Sequence, residues 1–516
     1  MAVKKVKVDI THPDPLQEAI AFLRKTELAL DVWLVGGYVR DQLAGRRTND
    51  LDVIVPDGAI RLARALADAL SGHFFVLDHE RQVGRVIVER NGSTAAKVDV
   101  ARLRAPQLRD DLRLRDFTVN AIAMSLEREP SVARLFDPFD GRSDLERRVL
   151  RAVTEGAFRD DPLRLLRAVR LSGELGFRIE PQTMNLLRRD AALISTVSAE
   201  RICDEMYRIV TLPRAWQHLR LLAQTDLLGH VLPEAAALKG VEQTPPHYQP
   251  VFDHSRSVMA HLEGIYALLW PEGLYQRPEP VTGDATIICP DALWDDVAGL
   301  LGPYRDDLRA HLMAPLASAH VRRDTLMWAA LAHDWGKPAM RSEENNGLVR
   351  FLDHDSWGAL LAQNRAHALK MSTDETAYLS RLVQMHMRPA YLAHDYPIGR
   401  RAIYRYFRDA QGVGLDALLL SLADHMAVRA PHPDRAQWRR RLDTMRVLLE
   451  SYYRERSERV DPAPLIDGDR LMAEFGLRPG PQIGVLLEGL REAQAAGEVT
   501  DADDALAWLT QHVVVE

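Results

Sequence analysis

"LVGGYVRDQLAGRRTNDLDVIVPDG", residues 34–58, decides how the chain is read. A short apolar run ends in Gly36 and Gly37, a helical stretch follows, and a second apolar run carries Asp50 and Asp52 on either side of Leu51. Side chains on a strand alternate faces, so the two carboxylates share one face while Leu51 points into a core. Unpaired carboxylates side by side repel each other, and a hard divalent cation such as Mg²⁺, which takes oxygen ligands, resolves the repulsion. A third carboxylate stands in "KVDVARLR", where Asp99 lies on another short alternating strand. Three aspartates on neighbouring strands can hold the two metal ions of an in-line phosphoryl or nucleotidyl transfer, which sit about 3.5–4 Å apart. Glycines at 36 and 37 let the backbone come close to a ligand, and the helix start behind them offers free N–H groups to a phosphate. For a bare D-x-D, the alternative is a hairpin edge with solvated aspartates.

Outward from this stretch, residues 1 to about 140 alternate helices with runs rich in Val, Ile and Phe: "VWLVGG", "LDVIV", "HFFVLD", "RVIVER" and "AKVDVARLR". Helical spacing then dominates from about 141 to 240, as in "DPLRLLRAVRLSGELGF" and in "SAERICDEMYRIV" behind Ser198. The stretch 244–254, "TPPHYQPVFDH", reads as a linker, and six prolines within 271–315 mark a segment that looks inserted. A tail from about 461 holds the Pro479-Gly480 turn ahead of a helix. The length of 516 residues suggests about three domains, and 47% hydrophobic with 27% charged residues is ordinary for globular cores. A net charge of -7 gives no general argument for nucleic-acid binding, so any such site must be a local basic surface. Two cysteines, Cys203 and Cys289, exclude a disulfide scaffold. "MAVKKVKVDITHPDP" lacks the apolar run of a signal peptide, and no stretch reaches the roughly 18 apolar residues of a membrane span. The expected location is the cytoplasm.

The order G-G-x-V-R-D, D-x-D, "RDFTVNAIA" (115–123) and "DPFDG" (137–141) resembles the class II branch of the DNA polymerase beta-like nucleotidyltransferases. That branch holds the CCA-adding tRNA nucleotidyltransferases and the bacterial poly(A) polymerases. The resemblance runs through nearly the whole of the first 240 residues. It implies that Asp50 and Asp52 hold catalytic Mg²⁺ ions and that Asp99, the third carboxylate, helps activate the 3′-hydroxyl of an RNA primer. It further implies a nucleotide site built from Gly36, Gly37, Arg40, Arg115, Asp116, Asn120, Asp161, Arg164 and Arg167. Arg115, Asp116 and Asn120 would grip the triphosphate and ribose, with Asp116 on the 2′-hydroxyl.

"RDDPLRLLRAVR" (159–170) bears on base choice. Three positions separate Asp161 from Arg164, which predicts neighbours on one helical face. Asp accepts hydrogen bonds and Arg donates them in a planar fork. Cytosine and adenine each pair an exocyclic amine donor with a ring-nitrogen acceptor, whereas guanine and uracil pair a carbonyl with an N–H. An Asp/Arg pair therefore complements C and A; the alternative is a surface ion pair worth tenths of a kcal/mol. The stretch resembles the family's E-D-x-x-R protein template, with Asp160 in place of the glutamate. Residues 141–170 hold eight Arg against five acidic side chains, a local basic bias that suits RNA or triphosphate.

In the second half, "LMWAALAHDWGKP" (326–338) ends an apolar helix on His333 and Asp334. With His254, His354, His386 and Asp424 at the ends of other apolar stretches, the imidazole and carboxylate set suits a transition metal. A core polar network without metal is the alternative. The layout resembles the HD metal-dependent phosphohydrolase domain: His254, His333, Asp334 and Asp424 match its H…HD…D pattern, and His354 and His386 match the extra histidines of dinuclear members. Mn, Ni, Co or Fe are the implied ions. The tail resembles the segment that follows HD domains in bacterial tRNA nucleotidyltransferases.

The expectation is an α+β head with a mixed sheet and helices (1–140), a helical neck carrying the base template and an RNA-binding surface (141–240), an HD domain (241–450) and a helical tail (451–516). The expected reaction adds CMP and AMP from CTP and ATP to the 3′ end of tRNA or another RNA, without a nucleic-acid template. Poly(A) or A-only addition remains open, and so does an HD phosphohydrolase whose head only binds RNA. No membrane partner is expected, and the oligomeric state stays open.

Overall fold

A computed structural model describes residues 4–7, 14–26, 31–90, 93–126, 132–273, 275–278, 291–317, 320–428 and 434–513. Cys289, residues 274 and 279–290 of the proline-rich stretch, and much of the basic N-terminus lie outside them. The chain divides into two compact units, Met1–Val197 with Thr225–Leu227, and Ser198–Gln224 with Leu228–Glu516.

The first unit is built on an eight-stranded sheet: β1 (Lys4–Lys7), β2 (Trp33–Val35), β3 (Asp50–Val55), β4 (His73–Asp78), β5 (Val83–Arg90), β6 (Ser93–Arg102), β7 (Ala123–Ser125) and β8 (Val132–Phe136). Its order is β1-β8-β7-β2-β3-β6-β5-β4. β3 and β6 run parallel and the other neighbours antiparallel. Alternation along β3 sorts its residues cleanly. Leu51, Val53 and Val55 enter a core shared with Val86, Val98 and the Asp14–Lys25 and Ala59–Leu70 helices. Ile54 joins a second cluster with Val35, Leu112 and Ala121 on the opposite face, which is also the face of Asp50 and Asp52. Each strand run expected from the sequence is present. So is the helix behind the glycines, which begins at Gly36 itself.

One local expectation fails. Asp161 and Arg164 do not share a helix face. Asp161 ends the short Ala157–Asp160 helix with an extended backbone (φ -149, ψ 100), and Arg164 opens the next helix, Arg164–Leu175. Pro162 is the cause, because the residue before a proline is pushed out of the α region.

The second unit is helical around Val251–Leu269, a helix buried on nearly every side and packed against Arg322–Ala332 and Gly414–Val428. That helix starts inside the stretch read as a linker. Just ahead of it, the Thr244 hydroxyl bonds to the Val349 backbone. Residues 291–313, read as part of an insertion, fold into the helices Asp291–Leu301 and Arg305–Met313. These bury Leu293, Trp294, Val297, Leu308 and Leu312, and Trp294 packs so closely on Gly264 that a side chain there would collide with its ring.

Candidate functional site

Parallel pairing of β3 with β6 sets Asp52 directly opposite Asp99, and Asp50 projects from the same face one pleat earlier. Both outer carboxylates meet cations. Arg85, across from Asp99 on β5, donates to it through Nε and Nη2 at 2.7 and 2.9 Å, and Lys97 Nζ lies 3.2 Å from Asp50 Oδ2. Asp52 is tucked under the glycine turn. At Gly36 (φ +71) a Cβ would stand 2.5 Å from Asp52 Oδ2 and 3.1 Å from Arg115 Nη1, so only glycine lets this carboxylate seat itself there. Burial pushes the Asp52 carboxyl above its usual range; Arg115 opposes the shift, while Asp99 and Asp50 add to it. An oxygen-only donor set with one carboxylate whose charge is penalised fits a hard cation.

Beside this cluster the sequence-predicted nucleotide residues join into one hydrogen-bonded chain. Arg40 Nη1 donates to Asn120 Oδ1 at 2.9 Å, and Asn120 Nδ2 donates to Asp116 Oδ1 at 3.0 Å. Arg167 donates to Asp116 Oδ2 through Nε and Nη2 at 3.1 and 2.6 Å. Burial alone would raise the Asp116 carboxyl, but the Arg167 charge and the bonds from Asn120, Arg167 and the Phe117 N–H hold it well below the carboxylate range. Asp116 is therefore an ionised acceptor fixed in place. Arg115 is partly buried, with its Nε enclosed 3.8 Å from Asp111 Oδ2, and desolvation lowers its pKa against the pull of Asp111 and Asp52. Arg164 spreads its fork over backbone carbonyls, Leu114 at 2.6 Å, Ala157 at 3.1 Å and Arg115 at 3.4 Å, which ties it to the Arg115-Asp116 turn. Asp161 Oδ1 accepts from the Leu163 N–H at 3.3 Å. Arg85, Lys97 and Asp111 are the residues that sequence reading missed. Arg85 alternates onto the face of Asp99, a signal usable only once β5 is known to pair with β6.

The second centre gathers all six residues expected of it. His254, His333 and Asp424 offer ligand atoms within 4.8 Å of one another, and so do Asp334, His354 and His386. The Nδ1 atoms of His333, His354 and His386 lie 2.9, 2.7 and 2.6 Å from the carbonyls of Ala330, Phe351 and Val383. This contact puts the proton on Nδ1 and leaves the Nε2 lone pair free. The Nε2 atoms of His254, His333, His354 and His386, with Asp334 Oδ2, are buried without a well-aligned hydrogen bond. His254 Nε2 lies 3.0 Å from Asp424 Oδ1, and His333 Nε2 lies 3.2 Å from Asp334 Oδ2. Burial and the neighbouring His333 and His354 drive the His386 pKa down to about 4, so this imidazole is neutral at physiological pH. Four oriented imidazoles and two carboxylates fit one or two transition-metal ions. Gly336 makes the arrangement possible, since a Cβ there would collide with the His354 carbonyl. The cluster opens on a cavity of about 680 Å³ that is also lined by Gln243, His247, Lys337 and Tyr391. Lys337, absent from the expected set, lies 2.8 Å from Asp334 Oδ2 and donates to Gln243 Oε1 at 2.7 Å.

A mixed sheet that sets three carboxylates on one face beside the Arg40–Asn120–Asp116–Arg167 chain, followed by a helical HD-type body, belongs to an enzyme of the nucleotidyltransferase type. The "Poly A polymerase head domain" family matches residues 32–151, the "Probable RNA and SrmB- binding site of polymerase A" family residues 176–239, and the HD domain family residues 296–428. An A-adding tRNA nucleotidyltransferase from Deinococcus radiodurans is 34% identical over 92% of this chain and 94% of its own. A CC-adding tRNA nucleotidyltransferase from Thermus thermophilus is 31% identical over 93% of each. A solved CCA-adding enzyme complex with ATP shares the fold at a TM-score of 0.62 and 19% identity, covering 100% of this chain and 99% of that one. The chain belongs to the tRNA nucleotidyltransferase family that carries the Poly A polymerase head and an HD domain. No described helix is long and apolar enough to cross a membrane.

Proposed function

We propose that the enzyme adds CMP and AMP to the 3′ end of tRNA from CTP and ATP, releasing pyrophosphate. The supporting observation is the registration of Asp52 on Asp99, with Asp50 on the same face and the Arg40–Asn120–Asp116–Arg167 chain beside it. Asp50 and Asp52 would hold two Mg²⁺ ions, which supply charge neutralisation of the triphosphate and polarise the attacking hydroxyl. Asp99 accepts the proton of the primer 3′-hydroxyl, and Asp116 takes the ribose 2′-hydroxyl. Catalysis is then mostly positioning. Asp161 and Arg164 read the base, Asp161 accepting from the exocyclic amine and Arg164 donating to the ring nitrogen; the carbonyls that brace Arg164 fix its fork. The head (1–140), template-bearing neck (141–240), HD domain (241–450) and tail (451–516) act as functional segments in this reading, in the cytoplasm.

A second reading has the enzyme supply only part of the triplet. It is favoured by the Deinococcus and Thermus relatives, which align over more than nine-tenths of both chains and are named A-adding and CC-adding. Three primers separate the readings: tRNA lacking the triplet, tRNA ending in C and tRNA ending in CC, each given one nucleotide at a time. Full-triplet addition gives two C from CTP and then one A. An A-adding enzyme extends only the CC-ended tRNA, a CC-adding enzyme stops before A, and a long ladder from ATP marks a poly(A) polymerase. No extension of any primer refutes the assignment.

The helical body acts as a metal-dependent phosphohydrolase in the same proposal, with His254, His333, Asp334 and Asp424 holding one transition metal and His354 and His386 completing a second position. Asp334→Ala should abolish hydrolysis of a 2′,3′-cyclic nucleotide and release the bound metal seen by elemental analysis. A metal-free wild type would refute it.

A further inference from the structure

Strand register puts an exposed aromatic ring in line with the carboxylates of the head. Phe75 on β4 stands opposite Arg85 on β5, Arg85 opposite Asp99 on β6, and Asp99 beside Asp52 on β3. Cross-strand partners share a sheet face, and the Arg85–Asp99 hydrogen bonds show that this face is the one carrying the carboxylates. Phe74, one residue earlier, turns the other way, packs on the core and has Arg64 over its ring. Phe75 instead keeps its ring 49% exposed, and Leu77, where the β4 register shifts, is 48% exposed. β4 is an outer strand of the sheet. Large apolar side chains left open on an edge strand are a liability that sequences usually blunt with charge or proline.

The sheet order gives the β3–β6 pair two flanks, β2–β7 on one side and β5–β4 on the other. Gly36 follows β2 and Asn120 precedes β7, so the Arg40–Asn120–Asp116–Arg167 chain belongs to the first flank. An in-line transfer sets the attacking hydroxyl opposite the leaving pyrophosphate, which leaves the β5–β4 flank to the acceptor strand. That flank is open, since the Asp99 and Arg85 side chains also reach solvent. With strands about 4.8 Å apart, Phe75 stands two strands, roughly 10 Å, from Asp99, within reach of a base whose ribose hydroxyl lies at Asp99. An exposed aromatic ring stacks on a nucleobase whatever the base, because every base has a flat face. We propose that Phe75 is the stacking platform for the 3′-terminal base of the acceptor strand and holds the terminal hydroxyl in front of Asp99. This rests on the reading that gives Asp99 the acceptor hydroxyl; the register and exposure of Phe75 do not depend on that reading.

The test uses the full-length protein and two acceptors: the tRNA end that the wild type extends best, and the same RNA with its last nucleotide made abasic. Phe75→Leu keeps apolar bulk and loses the ring. It should raise the KM for the normal acceptor about tenfold, or about 1.4 kcal/mol, and leave the KM for CTP and ATP and the melting temperature unchanged. Phe75→Trp should restore acceptor affinity to the wild-type level or better. On the abasic acceptor, wild type and Phe75→Leu should show the same Kd, because there is no terminal base to stack on. An equal loss on both acceptors would make Phe75 a structural residue, and an unchanged KM on the normal acceptor would leave the ring without a partner; either result overturns the proposal. So does a loss that tracks a change of oligomeric state on gel filtration, which would mark the β4 edge as a contact between two copies of the chain. Absence of extension by the wild type refutes nucleotide addition itself, whereas normal extension by both proteins with equal acceptor KM refutes only the platform.

Discussion

In the head, Asp50 and Asp99 reach solvent and pair with Lys97 and Arg85 respectively; in the helical body, Asp334 and Asp424 stand among four histidines whose Nε2 atoms converge. The first arrangement balances its carboxylates with the Lys97 and Arg85 side chains, and under the proposed function it would suit a metal that arrives with the triphosphate and leaves with pyrophosphate. The second pins three imidazoles to backbone carbonyls at helix ends, an arrangement organised for a resident ion whether or not substrate is present. One chain thus pairs an oxygen-donor cluster on strands with a nitrogen- and oxygen-donor cluster between helices.

The comparison breaks first at Asp52. Asp52→Ala should reduce labelled CTP and ATP incorporation by roughly three orders of magnitude, the scale of several kcal/mol of lost metal-centred stabilisation, without lowering the melting temperature. Loss of activity together with early melting would instead mark Asp52 as structural. Gly36→Ala should come next. Its methyl would stand 2.5 Å from Asp52 Oδ2, at a φ of +71 that strains any other residue, so the carboxylate must move. Misplacement of this kind costs about a hundredfold in kcat, read from nucleotide saturation curves with thermal melting as the control. Asp161→Ala should have a smaller effect, on selectivity rather than rate. Losing the acceptor for the exocyclic amine should narrow the preference for ATP and CTP over GTP and UTP by about 1–3 kcal/mol, measured as ratios of kcat/KM.

Much of this was legible in the sequence, for identifiable reasons. Period-two alternation placed Asp50, Asp52 and Leu51 on their faces, because strand geometry is local. The Arg85–Asp99 pair was not legible, because it depends on which strands become neighbours. The Asp161–Arg164 spacing predicts a shared helical face, and Pro162 between them breaks that geometry. The histidines were found one by one, but their division into two triads comes from the packing of separate helices. Prolines made 291–313 look inserted although its apolar residues, Trp294 among them, lie in the core.

The smallest expected effect concerns stability away from both centres. Burial works against ionisation of Glu375, but hydrogen bonds from His320, Ser372 and Tyr207 bring its carboxyl down from 4.5 to about 2. A depressed carboxyl stabilises the fold fully above its unfolded value, and that contribution fades as pH falls from 4.5 toward 2. Glu375→Gln should therefore lower the melting temperature by a few degrees at pH 7 and by progressively less below pH 4.5. A difference independent of pH would contradict this.

The independence of the two centres is tested most directly by assaying both reactions in the same preparations of Asp52→Ala and Asp334→Ala, with elemental analysis of each. The account predicts a double dissociation. Asp52→Ala retains its bound transition metal and phosphoester hydrolysis but adds no nucleotide. Asp334→Ala loses metal and hydrolysis but extends tRNA at the wild-type rate. Loss of nucleotide addition in a folded Asp334→Ala protein, or loss of the metal in Asp52→Ala, would contradict it.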